Sequence, residues 1–367
     1  MRTIRNVIPD FEIDYPLEKI APLENILFLD IETTGFTARS SMLYLIGTAY
    51  CKNHSWYIEQ FFAEQKEDEA ELLHSFFALA KNFTHFIHFN GNNFDLPYLM
   101  QKLEAYKLSY SMNDFQGIDL YRRVAPYKAF LHLPNCKQKT LELYLGIERM
   151  DPYHGGELIS VYHEYLSHPQ EQSMSVLLQH NYEDMKGMLS ILPILSVYDL
   201  FNDMHRPKKV QSNSYTAIDG NKNLELYIKF KCSSPLPKPV SYSAHSCFFS
   251  GENTEGTIRV PIYDEEMKYF YSNYRDYYYL PEEDVALHKS IANFVDKEHR
   301  IAATASTCYT RKHSLYLPQW DTLFEPFFKR EYHSKDVFFE LTDEMKTNRE
   351  FFSLYIQHIL TMLATSF

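Results

Sequence analysis

The apolar positions in the first half of the chain follow strand and helix periods in turn. Residues 24–32, ENILFLDIE, are almost continuously apolar and end in acids, which is typical of a buried central strand. Two further apolar runs, 42–50 and 55–63, predict an antiparallel meander with this strand. Beyond them, the spacing predicts a helix at 67–82, a strand at 84–89, a helix at about 93–106, a short strand at 118–121, and mainly helices to about residue 204.

The order β-β-β-α-β-α-β-α predicts an α/β domain over residues 1–205, with a mixed sheet flanked by helices. Residues 206–214, RPKKVQSNS, are polar and basic with one proline, and they predict a linker. The rest of the chain, 206–367, is expected to form a smaller α+β accessory domain. Its predicted parts are strands across 215–263 and helices at 264–274, 282–300 and 322–364.

Composition narrows the class of protein. No run of 18 apolar residues occurs, so no membrane span is expected, and the N-terminus lacks the apolar core of a signal peptide. The five cysteines are scattered, which disfavours a zinc site or a disulfide framework and favours the cytoplasm. Residues 1–205 hold 16 Lys and Arg against 27 Asp and Glu, so most of the net charge of −12 lies there.

Two acids end the first predicted strand on one face. Asp30 and Glu32 are two residues apart, so their side chains leave a strand on the same side. Two carboxylates this close repel each other unless a cation lies between them, and Mg²⁺ or Mn²⁺ prefers such oxygen ligands. Thr33 and Thr34 then begin a tight turn that would place small groups beside a substrate backbone.

Two further acids are predicted near this end of the sheet. Asp95 follows a strand and begins a helix, where ligands of α/β sheets bind. Asn90 and Asn93 could donate hydrogen bonds to a phosphate or cap that helix. Asp184 lies on a predicted helix and shares a face with His180. Each acid alone also fits a structural role, at a strand end, a helix start or the surface.

Three motifs carry a family resemblance. DIETTG (30–35), NGNNFDLP (90–97) and HNYEDMKGM (180–188) resemble, in order, the three motifs of the DEDD exonuclease superfamily. Residues 1–205 together resemble the YprB-like ribonuclease H-like domain of bacteria, a branch of that superfamily. The resemblance implies a ribonuclease H-like fold and a 3′→5′ exonuclease that uses two divalent cations, Mg²⁺ or Mn²⁺. Asp30, Glu32, Asp95 and Asp184 fall on its four metal-binding positions.

One residue departs from the family pattern. One branch places Tyr four residues before the last Asp, and another places His five residues before it. Here His180 is four residues before Asp184, and Gln179 is five before it. We take His180 as the group that orients or deprotonates the attacking water, because its near-neutral pKa suits that role, with Tyr182 as the alternative.

The implied two-metal mechanism would release nucleoside 5′-monophosphates from nucleic acid. Our first hypothesis for the substrate is a single-stranded 3′ end, with DNA slightly preferred over RNA. The resemblance also suggests a helicase partner. A structure-specific endonuclease and a non-catalytic nucleic-acid-binding module stay as alternatives. Family members often carry helical repeats at the C-terminal end, whereas this chain has strand-like patterns there, so their partners do not transfer.

Basic residues suggest where a polyanion could bind. Residues 102–139 carry seven Lys and Arg against three acids, and Arg122, Arg123, Lys137 and Lys139 could grip phosphates. An ordinary solvated surface explains them equally well. In the C-terminal part, Arg and Lys are interspersed with tyrosines such as Tyr277–Tyr279, which suits single-stranded nucleic acid but also a packed core. Tyr153 to Glu157 resemble the turn that precedes a helix in the family.

Overall fold

The computed structural model describes residues 1–149, 155–216, 220, 222–292 and 294–366. Tyr153 and His154, in the predicted turn, lie outside these residues. The chain divides into two compact units. Unit 1 comprises Met1–Asp199 and Ser234–Lys238, and unit 2 comprises Leu200–Ser233 and Pro239–Phe367. Within the described ranges, every helix is too short or too polar to cross a bilayer.

Unit 1 is built on a six-stranded mixed sheet with helices on both faces. Its elements, in chain order, are β1 (Arg2–Ile8), β2 (Ile26–Thr33), β3 (Leu43–Lys52), β4 (Ser55–Phe62), α1 (Glu69–Ala80), β5 (His85–His88), α2 (Asp95–Ala105), β6 (Gln116–Asp119), α3 (Leu120–Val124), α4 (Gln138–Leu145), α5 (Gly155–Ser167), α6 (Glu171–Ser190) and α7 (Leu195–Asn202). The strand order is β1-β4-β3-β2-β5-β6. The strands β1 to β4 pair antiparallel, and β5 and β6 run parallel to β2. The predicted mixed α/β fold and its opening meander are therefore confirmed.

The alternation of β2 decides which side chains enter the core. Leu27, Leu29 and Ile31 join a cluster that includes Leu72 of α1 and Leu99 of α2. Because successive strand residues point to opposite faces, the intervening acids of β2 must face the other side, where α6 packs. The apolar period of this strand thus buries one face and presents carboxylates on the other.

Unit 2 is dominated by long antiparallel strands. Its elements are β7 (Arg206–Thr216), β8 (Lys222–Ala244), β9 (Cys247–Phe270), β10 (Tyr277–Leu280), β11 (Val285–His288), α8 (Lys289–Ala292), β12 (Ile301–Ala302), β13 (Tyr309–Gln319), β14 (Phe327–Phe328), β15 (Val337–Glu340), α9 (Asp343–Thr347) and α10 (Arg349–Thr365). They form a six-stranded sheet, β14-β15-β13-β9-β8-β7, and a three-stranded sheet, β11-β10-β12. The segment Ser234–Lys238 of β8 groups with unit 1.

Several predictions for the C-terminal half are wrong. The predicted linker, 206–214, is strand β7, and it pairs with β8 along most of its length. The predicted helix at 264–274 is instead the end of β9, paired with β13. The mixed polar and apolar residues of these segments are compatible with the period of a helix and with that of a strand. Pairing with distant strands therefore decides the structure here, rather than local propensity.

Two further helix predictions hold only in part. Among the described residues of 282–300, the α-helical part is Lys289–Ala292, after strand β11. In 322–364 the helices are α9 and α10, and β14 and β15 precede them. Helix α10 has the expected apolar character, with Tyr355, Ile359 and Leu363 fully buried.

Candidate active site

Strand β2 and helix α6 bring two acidic segments together. Asp30 leaves β2 on the face toward α6, and its Oδ2 accepts a hydrogen bond of 2.9 Å from Nδ2 of Asn181. Glu32 lies on the same face, and its Oε1 is 3.8 Å from Nε2 of His180. The period of two along the strand therefore aims both carboxylates at one helix.

One turn of α6 supplies the next acid. His180 and Asp184 are four residues apart, and Nε2 of His180 lies 3.1 Å from Oδ2 of Asp184. One ligand atom each from Glu32, His180 and Asp184 lies within 4.8 Å of the other two. Carboxylate oxygen and imidazole nitrogen are donors for a divalent cation, so this group could hold one.

Asp95 approaches from a third segment. It is the first residue of α2, its side chain is buried, and its Oδ1 accepts a hydrogen bond of 3.2 Å from the backbone N–H of Ile31. Ile31 lies between Asp30 and Glu32, so this bond places Asp95 beside the β2 acids. Burial raises the pKa of Asp95 to about 7, and the charge of Asp119 adds to the effect.

The electrostatics of this cluster favour an added cation. Burial raises the pKa of Asp30 well above its usual range, and the charges of Glu32, Asp95 and Asp184 raise it further. For Asp184, burial acts in the same direction but is outweighed by the hydrogen bond from His180 and the charge of Arg149, so its pKa is lowered. The three neighbouring carboxylates that act on Asp30 thus supply, together with it, the oxygen donors and the negative charge that hard divalent cations prefer.

Sequence reasoning missed the residues that fix Asp30. Asp30, Gly47 and Gln60 are register partners across β2, β3 and β4. Asn181 lies over this row, donating to Asp30 and accepting a hydrogen bond of 3.0 Å from Nε2 of Gln60. A Cβ atom on Gly47 would lie 2.1 Å from Oδ1 of Asn181. The glycine in mid-strand was the available signal, because such a glycine often marks a close approach.

Sequence reasoning also missed the cation that contacts Asp184. The guanidinium of Arg149 donates to Oδ1 of Asp184, and its Nε lies 3.1 Å from Oε2 of buried Glu142. Gln138 ties α4 to α6 by donating to Glu142 (3.0 Å) and to the backbone carbonyl of Asp184 (2.8 Å). Arg149 lies outside the three motifs and outside any regular element, so no periodic pattern marks it.

The predicted substrate-binding residues that follow β2 and β5 make hydrogen bonds within their own turns. Thr33 donates to the carbonyl of Gly35 (2.9 Å), and Thr34 accepts from the N–H of Met42 (2.9 Å). Asn90, with φ 61°, accepts a hydrogen bond of 2.7 Å from Asn93. Their established contacts therefore lie within the chain, and phosphate binding by these residues stays a prediction.

Asp119 holds the turn that contains Asn90 and Asn93. Its carboxylate is buried and accepts from the backbone N–H of Asn90 at 2.9 Å and of Asn92 at 3.4 Å. The same carboxylate accepts from the N–H of Arg122 at the start of α3. Asp119 thus stabilises the backbone just before Asp95, which accounts for an acid that stands apart from the four of the cluster.

The basic residues predicted to bind phosphate have separate surroundings. Nε of Arg122 is 4.0 Å from Asp119, and Arg123 lies over the ring of Tyr198 at 4.9 Å. Lys137 is exposed and precedes α4. Lys139 is half-buried, and its positive charge opposes the rise in the pKa of Glu142 that burial causes. Their role in binding a substrate stays a prediction.

His180 and Tyr182 differ in what they contact. His180 faces Glu32 and Asp184, as described above. Tyr182 is half-buried, and burial together with the charge of Glu183 raises its pKa. The geometry therefore favours His180 as the α6 side chain that faces the acids.

Comparison with known proteins gives one family match. Residues 27–196 match the RNase_H_2 family model, described as RNase_H superfamily. No curated protein matches the sequence significantly. A family B DNA polymerase from the hyperthermophilic archaeon Pyrobaculum calidifontis is 16% identical, with a TM-score of 0.40, over 49% of this chain and 26% of the polymerase. E. coli exonuclease I in complex with a dA16 oligonucleotide is 13% identical, with a TM-score of 0.27, over 56% of this chain and 54% of the exonuclease. The chain thus spans about a quarter of the first and about half of the second.

Proposed function

From the match of residues 27–196 to the RNase_H_2 family model, we propose that this part of the chain is a ribonuclease H-like domain and that the chain is a metal-dependent 3′→5′ exonuclease. The observation that carries the proposal is the convergence of Asp30, Glu32, Asp95 and Asp184 from three separate segments. Carboxylates brought this close repel each other, and bound divalent cations would offset that repulsion. Hydrolysis of phosphodiester bonds is the chemistry that such a cation-loaded acidic site supports.

The four carboxylates are the proposed ligands of two divalent cations, Mg²⁺ or Mn²⁺. When bound, the cations would supply positive charge and Lewis acidity at the scissile phosphate. Asn181 holds Asp30 through its amide N–H, and Arg149 donates to Oδ1 of Asp184 while its Nε lies close to Glu142. These contacts fix the direction of two ligand side chains before any substrate arrives, and such fixed partners strengthen metal sites.

His180 is the proposed proton acceptor. Its Nε2 is the ring atom that faces Glu32 and Asp184, so in the neutral tautomer that carries its proton on Nδ1 this atom would accept the proton of the attacking water. Asp184 stabilises the imidazolium that results, because its carboxylate lies 3.1 Å away. An imidazole side chain is the most common general base in enzymes.

The substrate is proposed to be a single-stranded 3′ end, with DNA preferred slightly over RNA and nucleoside 5′-monophosphates as products. A structure-specific endonuclease is the second enzyme reading. A non-catalytic binding module is disfavoured because all four acidic positions are filled. The helicase partner and the cytoplasmic location also stay predictions.

End-labelled oligonucleotides test the proposal. Single and double strands of DNA and RNA, labelled at either end, are incubated with the full chain and Mn²⁺ or Mg²⁺. The proposal expects a ladder from 5′-labelled strands and early release of mononucleotide from 3′-labelled strands. Internal cuts at defined structures would favour the endonuclease, and intact strands with both metals would overturn the nuclease assignment.

A further inference from the structure

A cluster of four cations lies on the β7–β8 hairpin of unit 2. In the register of these strands, Arg206 is the partner of Lys231, and Lys209 is the partner of Lys229. We call Arg206, Lys209, Lys229 and Lys231 the hairpin cluster. Partner residues in antiparallel strands have Cβ atoms about 5 Å apart, so each pair brings two positive charges close together.

The four side chains share one face of the sheet. Lys229 and Lys231 are two residues apart on β8, whereas Ile228, Phe230 and Cys232 alternate with them and are buried on the other face. On β7, the register is interrupted between Pro207 and Lys209. This irregularity absorbs one residue, which keeps Arg206 and Lys209 on the same face although they are three apart.

The hairpin cluster has no ion pair within 4.0 Å among the described residues, although the charge of Lys229 acts on Glu255 at longer range. The neighbouring Lys208 pairs with Glu255 at 3.0 Å. Like charges directly opposite each other destabilise a sheet. The hairpin cluster contains two such pairs side by side. A ligand with several negative charges along its length would offset their repulsion.

Other basic residues of unit 2 are engaged differently. Lys268 pairs with Glu331, Lys312 pairs with Glu340, and Arg330 pairs with Glu265, each at 2.8 Å or less. These cations are offset within the unit. The hairpin cluster differs from these three cations because no ion pair within unit 2 offsets its charge among the described residues.

An aromatic side chain and an open edge adjoin the cluster. Tyr227 is the next β8 residue on the same face, half-buried, and Nζ of Lys229 lies 6.0 Å from the centre of its ring. Strand β7 is the last strand of its sheet, and Arg206, Lys209 and Lys231 are exposed. Exposed cations beside a tyrosine match the backbone and bases of a nucleic-acid strand.

We propose that the hairpin cluster binds the phosphate backbone of a single-stranded nucleic acid. The proposal rests on the proposed function for its choice of ligand and adds a second binding surface, on unit 2, to the acidic site of unit 1. The contacts are to phosphates, so the surface should not distinguish sequences and should weaken steeply with salt.

Binding without cleavage tests this surface. Full-length protein in EDTA is titrated into fluorescein-labelled single strands of DNA and of RNA, and anisotropy is read at several salt concentrations. The test variant is Arg206→Gln, Lys209→Gln and Lys231→Gln together. The matched control, Lys335→Gln, Lys346→Gln and Arg349→Gln, removes the same charge from exposed positions elsewhere in unit 2.

The expected result is a loss of affinity of roughly tenfold or more at 0.1 M salt in the test variant and a smaller loss in the control. The slope of log K against log [salt] should become shallower by about 2, since each single-strand phosphate contact contributes about 0.7. Equal affinities and slopes in both variants would overturn the proposal. Cleavage by wild type with Mn²⁺ is scored separately, so failure of the surface and failure of the nuclease assignment are distinguishable.

Discussion

Unit 1 and unit 2 each gather like charges, but they do so in opposite surroundings. In unit 1, carboxylates from β2, α2 and α6 converge where side chains are buried or nearly so. In unit 2, cations converge on an exposed β-hairpin. In the first case burial amplifies the repulsion, whereas in the second case water and salt screen it.

The difference indicates the size of the ligand that each place suits. A buried set of oxygen atoms within a few ångströms can be offset by small ions with high charge density. An exposed row of cations spread along two strands can be offset by an extended polyanion. Burial, rather than charge alone, therefore separates a proposed catalytic centre from a proposed binding surface, and the variants below test that distinction.

The largest effect is expected from removing one buried carboxylate. Asp30→Asn should lower the rate of cleavage at least about a hundredfold, because metal-based stabilisation of several kcal/mol is lost. The rate is measured on a 5′-labelled strand with Mn²⁺. Glu164→Gln, an exposed acid on α5, is the matched control and should keep its activity. Equal activity of Asp30→Asn and wild type would contradict a catalytic role for the cluster.

Next come the two candidate proton acceptors on α6. His180→Ala should lower kcat by about 10²- to 10⁴-fold, the usual contribution of a general base. Tyr182→Phe should stay close to wild type, since His180 is the side chain that contacts Glu32 and Asp184. Single-turnover rates at saturating Mn²⁺ measure the difference. The reverse order of effects would transfer the role to Tyr182.

A smaller effect is expected from the amide that holds Asp30. Asn181→Leu keeps a similar shape but removes the donor to Asp30, so the affinity for Mn²⁺ should fall about 10- to 100-fold. Calorimetric titration measures the affinity for Mn²⁺, at a temperature at which each variant is folded. Ser190→Ala, on the same helix and bonded only locally to Lys186, is the control. Unchanged Mn²⁺ affinity would show that Asn181 serves packing alone.

The smallest predicted effect is a pH dependence of stability without metal. Since the pKa of Asp95 is raised from 3.8 to about 7, the folded state holds its proton more tightly than the unfolded state. The stability that this gives is present at low pH and is lost as pH rises from about 4 to about 7.

Asp95→Asn isolates that contribution, because an amide does not ionise in this range. Urea unfolding in EDTA is compared for wild type and variant between about pH 4.5 and 7.5. The stability of the variant relative to wild type should rise with pH. A constant difference across the range would mean that Asp95 ionises normally in the folded protein.

Local patterns predicted the part of the site that depends on short-range geometry. The spacing of two between Asp30 and Glu32 and the spacing of four between His180 and Asp184 suffice to place each pair on one face. The contacts of Gln60, Gly47 and Asn181 join residues more than 100 positions apart, so no local period reveals them.

The strands of unit 2 were hard to predict for a related reason. The end of β9, with its run of Asp264, Glu265 and Glu266, is held by pairing to β13 rather than by its own propensity. The basic segment that begins at Arg206 resembles a linker because its polar residues face outward from an edge strand. Only the paired partners show that these are strands.

Equilibrium binding of Mn²⁺ tests the central claim most directly, because it needs no knowledge of the substrate. The full chain is titrated by calorimetry, with Asp30→Asn and Asp184→Asn in parallel and Glu164→Gln as the control. The account predicts two ions bound per wild-type chain, fewer or much weaker ions in both Asn variants, and wild-type binding in the control. Absence of Mn²⁺ binding, or equal binding by all four proteins, would contradict a metal centre built from these carboxylates.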